Sequence, residues 1–174
     1  ECVKANEAGC TAVVITLASK CSGIYESAMI AAADYENIYI VDSTSAARGT
    51  GILVELAFRL LDAGMTAEET AQVLEEEKKK IVVVALVDTL EYLKRGGRIS
   101  KTAAFAGGVL NIKPVLSVID GEIHLLGKAR GSKMGNNLLV QEIDKAGGID
   151  FSRPVLLGYS GISDALLLKY IEDS

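Results

Sequence analysis

Ser19 and Ser22, with Gly23 beside them, follow directly on an apolar run from Ala12 to Leu17, and they precede Tyr25, Ala28, Met29 and Ala32 at helical spacing. Of all the stretches in the chain, this is the one whose residue types and spacing can do chemistry. A buried strand that runs into a helix leaves unpaired N–H groups and the positive end of the dipole at the helix start, so hydroxyls there complete a site for a carboxylate or phosphate. In open α/β sheets, ligands collect at the carboxyl ends of strands. The same residues also make an ordinary N-cap, since Ser or Gly ahead of a helix first satisfies the helix's own donors. A second hydroxyl-rich run, Asp42-Ser43-Thr44-Ser45, follows a second apolar strand, Ile38 to Val41. Gly49 and Gly51 lie in the first turns of the helix beyond it, where each glycine costs about 1 kcal/mol relative to alanine and implies a close approach to the backbone.

Other chemistries lack their parts. There is no G-x-x-x-x-G-K-S/T loop, no G-x-G-x-x-G after a strand and no D-x-D pair for magnesium. The single histidine, His124, falls within a strand of a hairpin, where a packed or half-exposed imidazole is the ordinary reading, and not the base of a triad. Cys21, near a helix start, is a place for a lowered thiol pKa, but no basic partner is identifiable in the sequence. Three cysteines without a C-x-x-C pair suggest neither a disulfide framework nor a zinc site, and they suit a cytoplasmic setting. No cofactor and no metal are expected. A net charge of −5 argues against nucleic acid, and no apolar run reaches the ~20 residues of a membrane span.

These residues must be positioned by an α/β fold. With 174 residues, 49% of them hydrophobic, the chain has material for a core and for two small domains. It opens without a methionine on what reads as the end of a helix, Glu1 to Ala8, closed by Gly9. The first half also holds few strands for a doubly wound layer, and both features point to a piece of a longer protein. A helix is expected from about Ala46 to Ala63, ended by Gly64. Thr66 and Glu69 form a capping box for the next helix, whose charged end, Glu75 to Lys80, reads as a solvated face. Ile81 to Val87 reads as a third strand of parallel-sheet character, and Thr89 to Lys94 as a short helix before Arg95-Gly96-Gly97-Arg98. Lys101 to Leu110 is small and apolar around Phe105. Val115 to Ile119 and Glu122 to Leu126 flank Asp120-Gly121, a strong hairpin signal. A helix from about Lys133 to Ala146, a strand from Pro154 to Tyr159 and a final helix to Asp173 complete the layer. The expected architecture is a parallel α/β/α layer over residues 1–84, followed by a mixed-sheet α/β domain over residues 85–174.

Three stretches together resemble the DegV family of bacterial fatty-acid-binding proteins over nearly the whole chain. They are ITLASKCSGIYESA, IVDSTSAARGTGILV, and VDTLEYLKRGGRIS with LNIKPVLSVIDGEI and KARGSK after it. The resemblance implies a two-domain carrier, without catalysis of its own, that holds one long-chain fatty acid in a tunnel. It also implies that the carrier presents the carboxyl end to a fatty acid kinase, which makes the acyl phosphate used in phospholipid synthesis. By the motif match Ser19 would bond the carboxylate, with Ser22, Gly23 and the helix N–H groups in support, and Arg98 and Arg130 would face the kinase. Ala18 stands where the family's serine pair has its first member, and Ile24 replaces the threonine of its S-G-T-Y. The family's T-S-Q-P segment, N-terminal D-S strand and C-terminal histidine have no counterpart. Two other functions fit the general fold: a dihydroxyacetone-kinase-like sugar-binding enzyme, and an interaction module without a small ligand.

Overall fold

The computed structural model describes residues 2–99 and 111–173. A first helix, α1 (Cys2–Glu7), leads to strand β1 (Ala12–Thr16), helix α2 (Ile24–Ala32) and strand β2 (Ile38–Asp42). The two strands pair in parallel, with Ala12 opposite Ile38 and Thr16 opposite Asp42, so that both end at the same level of the sheet. Helices α3 (Arg48–Asp62) and α4 (Ala67–Glu77) follow, then a 3-10 turn at Lys78–Lys80. Leu53 and Leu74, both fully buried, pack with Val41, Ala57 and Ala71 to form the core between helices and sheet. Burying a leucine completely contributes about 1.5–3 kcal/mol, which makes these two the main anchors of this half.

The second sheet has the order β3-β4-β5, from β3 (Val83–Leu86), β4 (Ile112–Ile119) and β5 (Glu122–Arg130), and all its pairings are antiparallel. Helix α5 (Glu91–Arg95) lies between β3 and β4, helix α6 (Gly131–Lys145) covers the sheet, and α7 (Ala165–Asp173) closes the chain. A Cβ on Gly135 would come within 3.0 Å of both Leu86 and Lys113, so α6 rests directly on the strands at that point. Leu90, Ile99 and Leu116 form a second, separate buried cluster. The hairpin turns through two residues, Asp120 and Gly121, at φ 49° and 80°, the geometry that the Asp-Gly pair favours.

Several expectations are corrected. β3 is antiparallel to β4 and belongs to the second sheet; a short apolar run does not by itself distinguish a parallel strand from a covered antiparallel one. The second sheet is antiparallel throughout among the described residues, not mixed. Residues 154–159 form no strand: the segment runs beside α3, with Leu156 near Gly51 and Gly158 against Arg48, and Leu157 is 53% exposed. A ladder needs a neighbouring strand to exchange N–H and C=O bonds with, and this segment pairs with none of the described strands. The close approach implied at Gly49 is internal, because a Cβ there would clash with Ser45 Oγ and come within 2.8 Å of Val83. At Gly51 only Leu156 is near among the described residues, 3.8 Å from where a Cβ would lie. The small apolar stretch from Lys101 to Leu110 lies outside the described residues.

Candidate functional site

Because β1 and β2 end together, the segments that leave them run side by side. Ala18 N–H donates to Ser45 O at 2.8 Å, and Ser43 N–H donates to Thr16 O at 3.1 Å. One residue further on, Ser19 N–H points at the Asp42 carboxylate, 3.2 and 3.3 Å from its two oxygens, while Thr44 N–H donates to Asp42 Oδ1 at 2.9 Å. The Ser19 hydroxyl is half-buried and makes no hydrogen bond among the described residues. The backbone of Asp42 is held as well: its carbonyl accepts Lys78 Nζ at 2.9 Å, and Lys78 also pairs with Glu75 at 2.6 Å. The Lys78 side chain is 12% exposed, so the charged run is not solvated throughout; Lys79 and Lys80 pair with Glu76 and Glu77 on the outer side.

Ser22 and Gly23 lead into α2. Ser22 Oγ accepts Ile24 N–H at 3.3 Å, a capping role, and Ser27 Oγ donates to Gly23 O at 2.8 Å. Gly23 has φ −74°, and no described residue comes within 4 Å of where a Cβ would lie, so neither its conformation nor crowding among the described residues demands glycine there.

The tip of the hairpin is seated on this loop. Cys21 Sγ–H donates to Gly121 O at 3.2 Å, Lys20 pairs with Glu122 at 3.5 Å, and a Cβ on Gly121 would lie 3.4 Å from that of Ala18. Ala18 is completely buried under the turn, where a serine hydroxyl would need a partner of its own. Arg98 reaches the same loop: its Nε donates to Cys21 O at 3.0 Å, and its guanidinium also bonds Gly96 O. The two arginines are therefore not equivalent. Arg130 is exposed at the far end of β5, opposite Ile112, whereas Arg98 contacts the loop that carries Ser19. Burial pushes the Cys21 thiol pKa up, Arg98 opposes this, and Glu122 and Asp42 add to it. The structure thus supplies the basic neighbour that the sequence did not reveal, but desolvation prevails and the pKa is raised, not lowered. His124 is a half-exposed imidazole opposite Ser117, with Glu122 3.8 Å away.

An open apolar hollow of about 230 Å³ lies where β1 meets α3, lined by Val13, Ile15, Val54, Ala57, Phe58 and Leu61. Among the described residues β1 has a strand partner on one side only. No group of three or more His, Cys, Asp or Glu side chains among the described residues could hold a metal ion, and no described helix is long and apolar enough to cross a membrane.

The model of the DegV family of uncharacterised proteins matches residues 1–166. The chain belongs to the DegV family. A DegV domain-containing protein of Caldanaerobacter subterraneus is 39% identical over 142 residues, which cover 80% of this chain and 50% of that protein. A DegV family protein of Thermus thermophilus, described by its fatty acid binding, superposes with a TM-score of 0.73 at 33% identity over 83% of this chain and 52% of that one. The Streptococcus pneumoniae fatty acid kinase B3 protein loaded with linoleic acid gives 0.67 at 30% identity, over 78% of this chain and 50% of that one. The chain spans about half the length of the curated relatives it matches. These likenesses agree with the two-sheet α/β architecture expected for a DegV chain.

The sequence pointed to Ser19 but not to the groups that hold it. Asp42, Lys78 and Gly121 entered the reading only as a strand end, a charged run and a turn. For Asp42 the available signal was an acidic residue at the carboxyl end of a strand adjacent to the one that leads to Ser19.

Proposed function

We propose that this DegV chain forms part of a carrier that holds a long-chain fatty acid, with the carboxyl group at Ser19 and the alkyl chain against apolar walls, and that a fatty acid kinase acts on the presented head. The observation that carries the reading is the Ser19 hydroxyl, which makes no hydrogen bond among the described residues at the carboxyl end of β1, while the N–H groups of Ala18, Ser19, Cys21 and Ser22 are all bonded. The strand that ends there borders the apolar hollow through Val13 and Ile15. Apolar walls alone can hold an alkyl chain, since each buried CH₂ contributes about 0.8 kcal/mol, which leaves polar groups to fix the head. The lipids carried by related DegV structures support the ligand class, and the streptococcal kinase B3 protein supports the partner. Ser22, occupied in capping, and Gly23 contribute through the N–H groups at the start of α2. Arg130 faces the kinase, and Arg98 stands between the kinase and the head group. The carrier works in the cytoplasm and leaves the chemistry to its partner.

Denaturing extraction of the purified protein followed by lipid mass spectrometry tests this reading. A carrier releases fatty acid in roughly one-to-one ratio with the chain. Release of no lipid, or binding of a short polyol in its place, would return the chain to the kinase-like or ligand-free alternatives.

A further inference from the structure

The Ser19 hydroxyl can serve a ligand only if the backbone beneath it is fixed, and β1 itself ends three residues earlier, at Thr16. Asp42 does the fixing. It stands opposite Thr16 at the last register position of the parallel pair, so its side chain projects from the level at which both strands stop. A carboxylate has two acceptor oxygens and no donor, and can therefore take N–H groups from two different loops at once; an amide side chain offers only one oxygen. Here the two donors are Ser19 N–H, at 3.2 and 3.3 Å, and Thr44 N–H, at 2.9 Å. The carboxylate is not free to follow them, because the Asp42 carbonyl is itself held at 2.9 Å by the largely buried Lys78, which Glu75 holds from the other side. The result is a bonded path from the end of α4 through Asp42 to Ser19, with the serine hydroxyl unengaged among the described residues.

We propose that Asp42 is a positioning residue of the head-group site: by accepting the Ser19 and Thr44 N–H groups it fixes the exit of β1 against the exit of β2, and so holds the Ser19 hydroxyl where a fatty-acid carboxyl meets it. This rests on the fatty-acid reading. Asp42 touches no ligand and acts only through Ser19, and that dependence can be measured.

The test is a double-mutant cycle on the purified protein, titrated with a fluorescent long-chain fatty acid, with Asp42→Ala and Asp42→Asn made on both the Ser19 and the Ser19→Ala backgrounds. Asp42→Asn keeps the volume and one acceptor, and it serves where Asp42→Ala is too unstable to titrate. Ser19→Ala is expected to weaken binding about tenfold or more. On the Ser19 background Asp42→Ala is expected to weaken it about tenfold and Asp42→Asn about threefold, and on the Ser19→Ala background both losses shrink below about twofold, since residues that act through one another are not additive. A general loss of stability would lower affinity equally on both backgrounds, and that additive outcome overturns the positioning role while leaving Ser19 as the head-group residue. So does unchanged affinity in both Asp42 variants. If Ser19→Ala itself binds as the parent does, the head-group reading fails and the positioning role fails with it.

Discussion

At the residue scale, Cys21 shows how position alone misleads. A thiol just ahead of a helix commonly has a lowered pKa, because the dipole and the free N–H groups favour the thiolate. Cys21 instead lies under the hairpin tip, hydrogen-bonded to the Gly121 carbonyl, and loss of solvent is the largest influence on it. Arg98 pulls its pKa down, but Glu122 and Asp42 push the same way as burial. An acid whose pKa is raised on folding stabilises the fold below its unfolded value, here 9.0, and that contribution is lost as pH rises through the folded value. We therefore expect iodoacetamide at about pH 8 to modify exposed Cys10 well before Cys21, followed by peptide mass spectrometry. Equal rates at the two thiols would show that the hairpin tip does not cover Cys21.

At the element scale, α1, α3 and α5 end by a shared device that also places the Arg98 side chain. After α5, Gly97 adopts φ 72°, its N–H bonds Lys94 O and the Arg98 N–H bonds Leu93 O, so the chain reverses and Arg98 is directed back towards the loop after β1. Gly9 and Gly64 end α1 and α3 with the same pair of bonds. The G-G-R sequence thus has a mechanical reading before any chemical one: the second glycine supplies the left-handed residue, and the arginine is where the reversed chain points. At the other kind of helix end, Thr66 Oγ1 accepts Glu69 N–H at 3.2 Å while the Glu69 carboxylate accepts Thr66 N–H at 2.9 Å, the reciprocal capping box read from the sequence. Thr66→Ala is expected to lower unfolding stability by about 1 kcal/mol in a denaturant titration. The Thr66 backbone and hydroxyl bonds hold the Glu69 carboxyl below its usual value of 4.5, so its contribution is present above that pH and fades as the pH falls through the folded value. The difference between parent and variant should therefore narrow in acid; a difference constant from neutral to acid pH would contradict the carboxylate's part in the cap.

At the scale of the whole molecule, the long hairpin joins the two sheets and separates the two arginines. Its tip sits on the Ser19–Cys21 loop through Gly121 and Glu122, while Arg130 lies at its far end, roughly 30 Å from Gly121 at about 3.3 Å per residue. A partner that presses on the second sheet would therefore meet Arg130 far from the head group but would meet Arg98 against it. In the proposed carrier, Arg130→Glu is expected to leave fatty-acid affinity within about twofold of the parent while lowering acyl-phosphate formation by the kinase, with a larger loss at low salt. Arg98→Glu should lower both, because it removes the bond to Cys21 O and adds a charge of the ligand's own sign to the loop. If the two reversals gave the same ratio of binding loss to turnover loss, the division of roles along the hairpin would be wrong.

Local order was legible in the sequence because its causes are local. The Asp-Gly turn, the capping box at Thr66, the glycine-ended helices, the apolar strand ahead of Ser19 and the hydroxyls after it depend on backbone propensity and on neighbours a few residues away, and all of them were placed correctly. The motif stretches likewise identified the family. Only the tertiary structure decided which groups meet across the chain. Val83–Leu86 pairs with β4, while residues 154–159 have strand-like composition but join neither sheet. Lys78, one of three consecutive lysines, is the one turned inward to the Asp42 carbonyl, 36 positions away in sequence, and Arg98 meets Cys21 across 77. Strand propensity and charge are properties of a segment, whereas a hydrogen-bond partner is a property of the packing. The place of Ser19 after an apolar strand was visible from its neighbours in sequence; the carboxylate that accepts its N–H became visible only once β1 and β2 lay side by side.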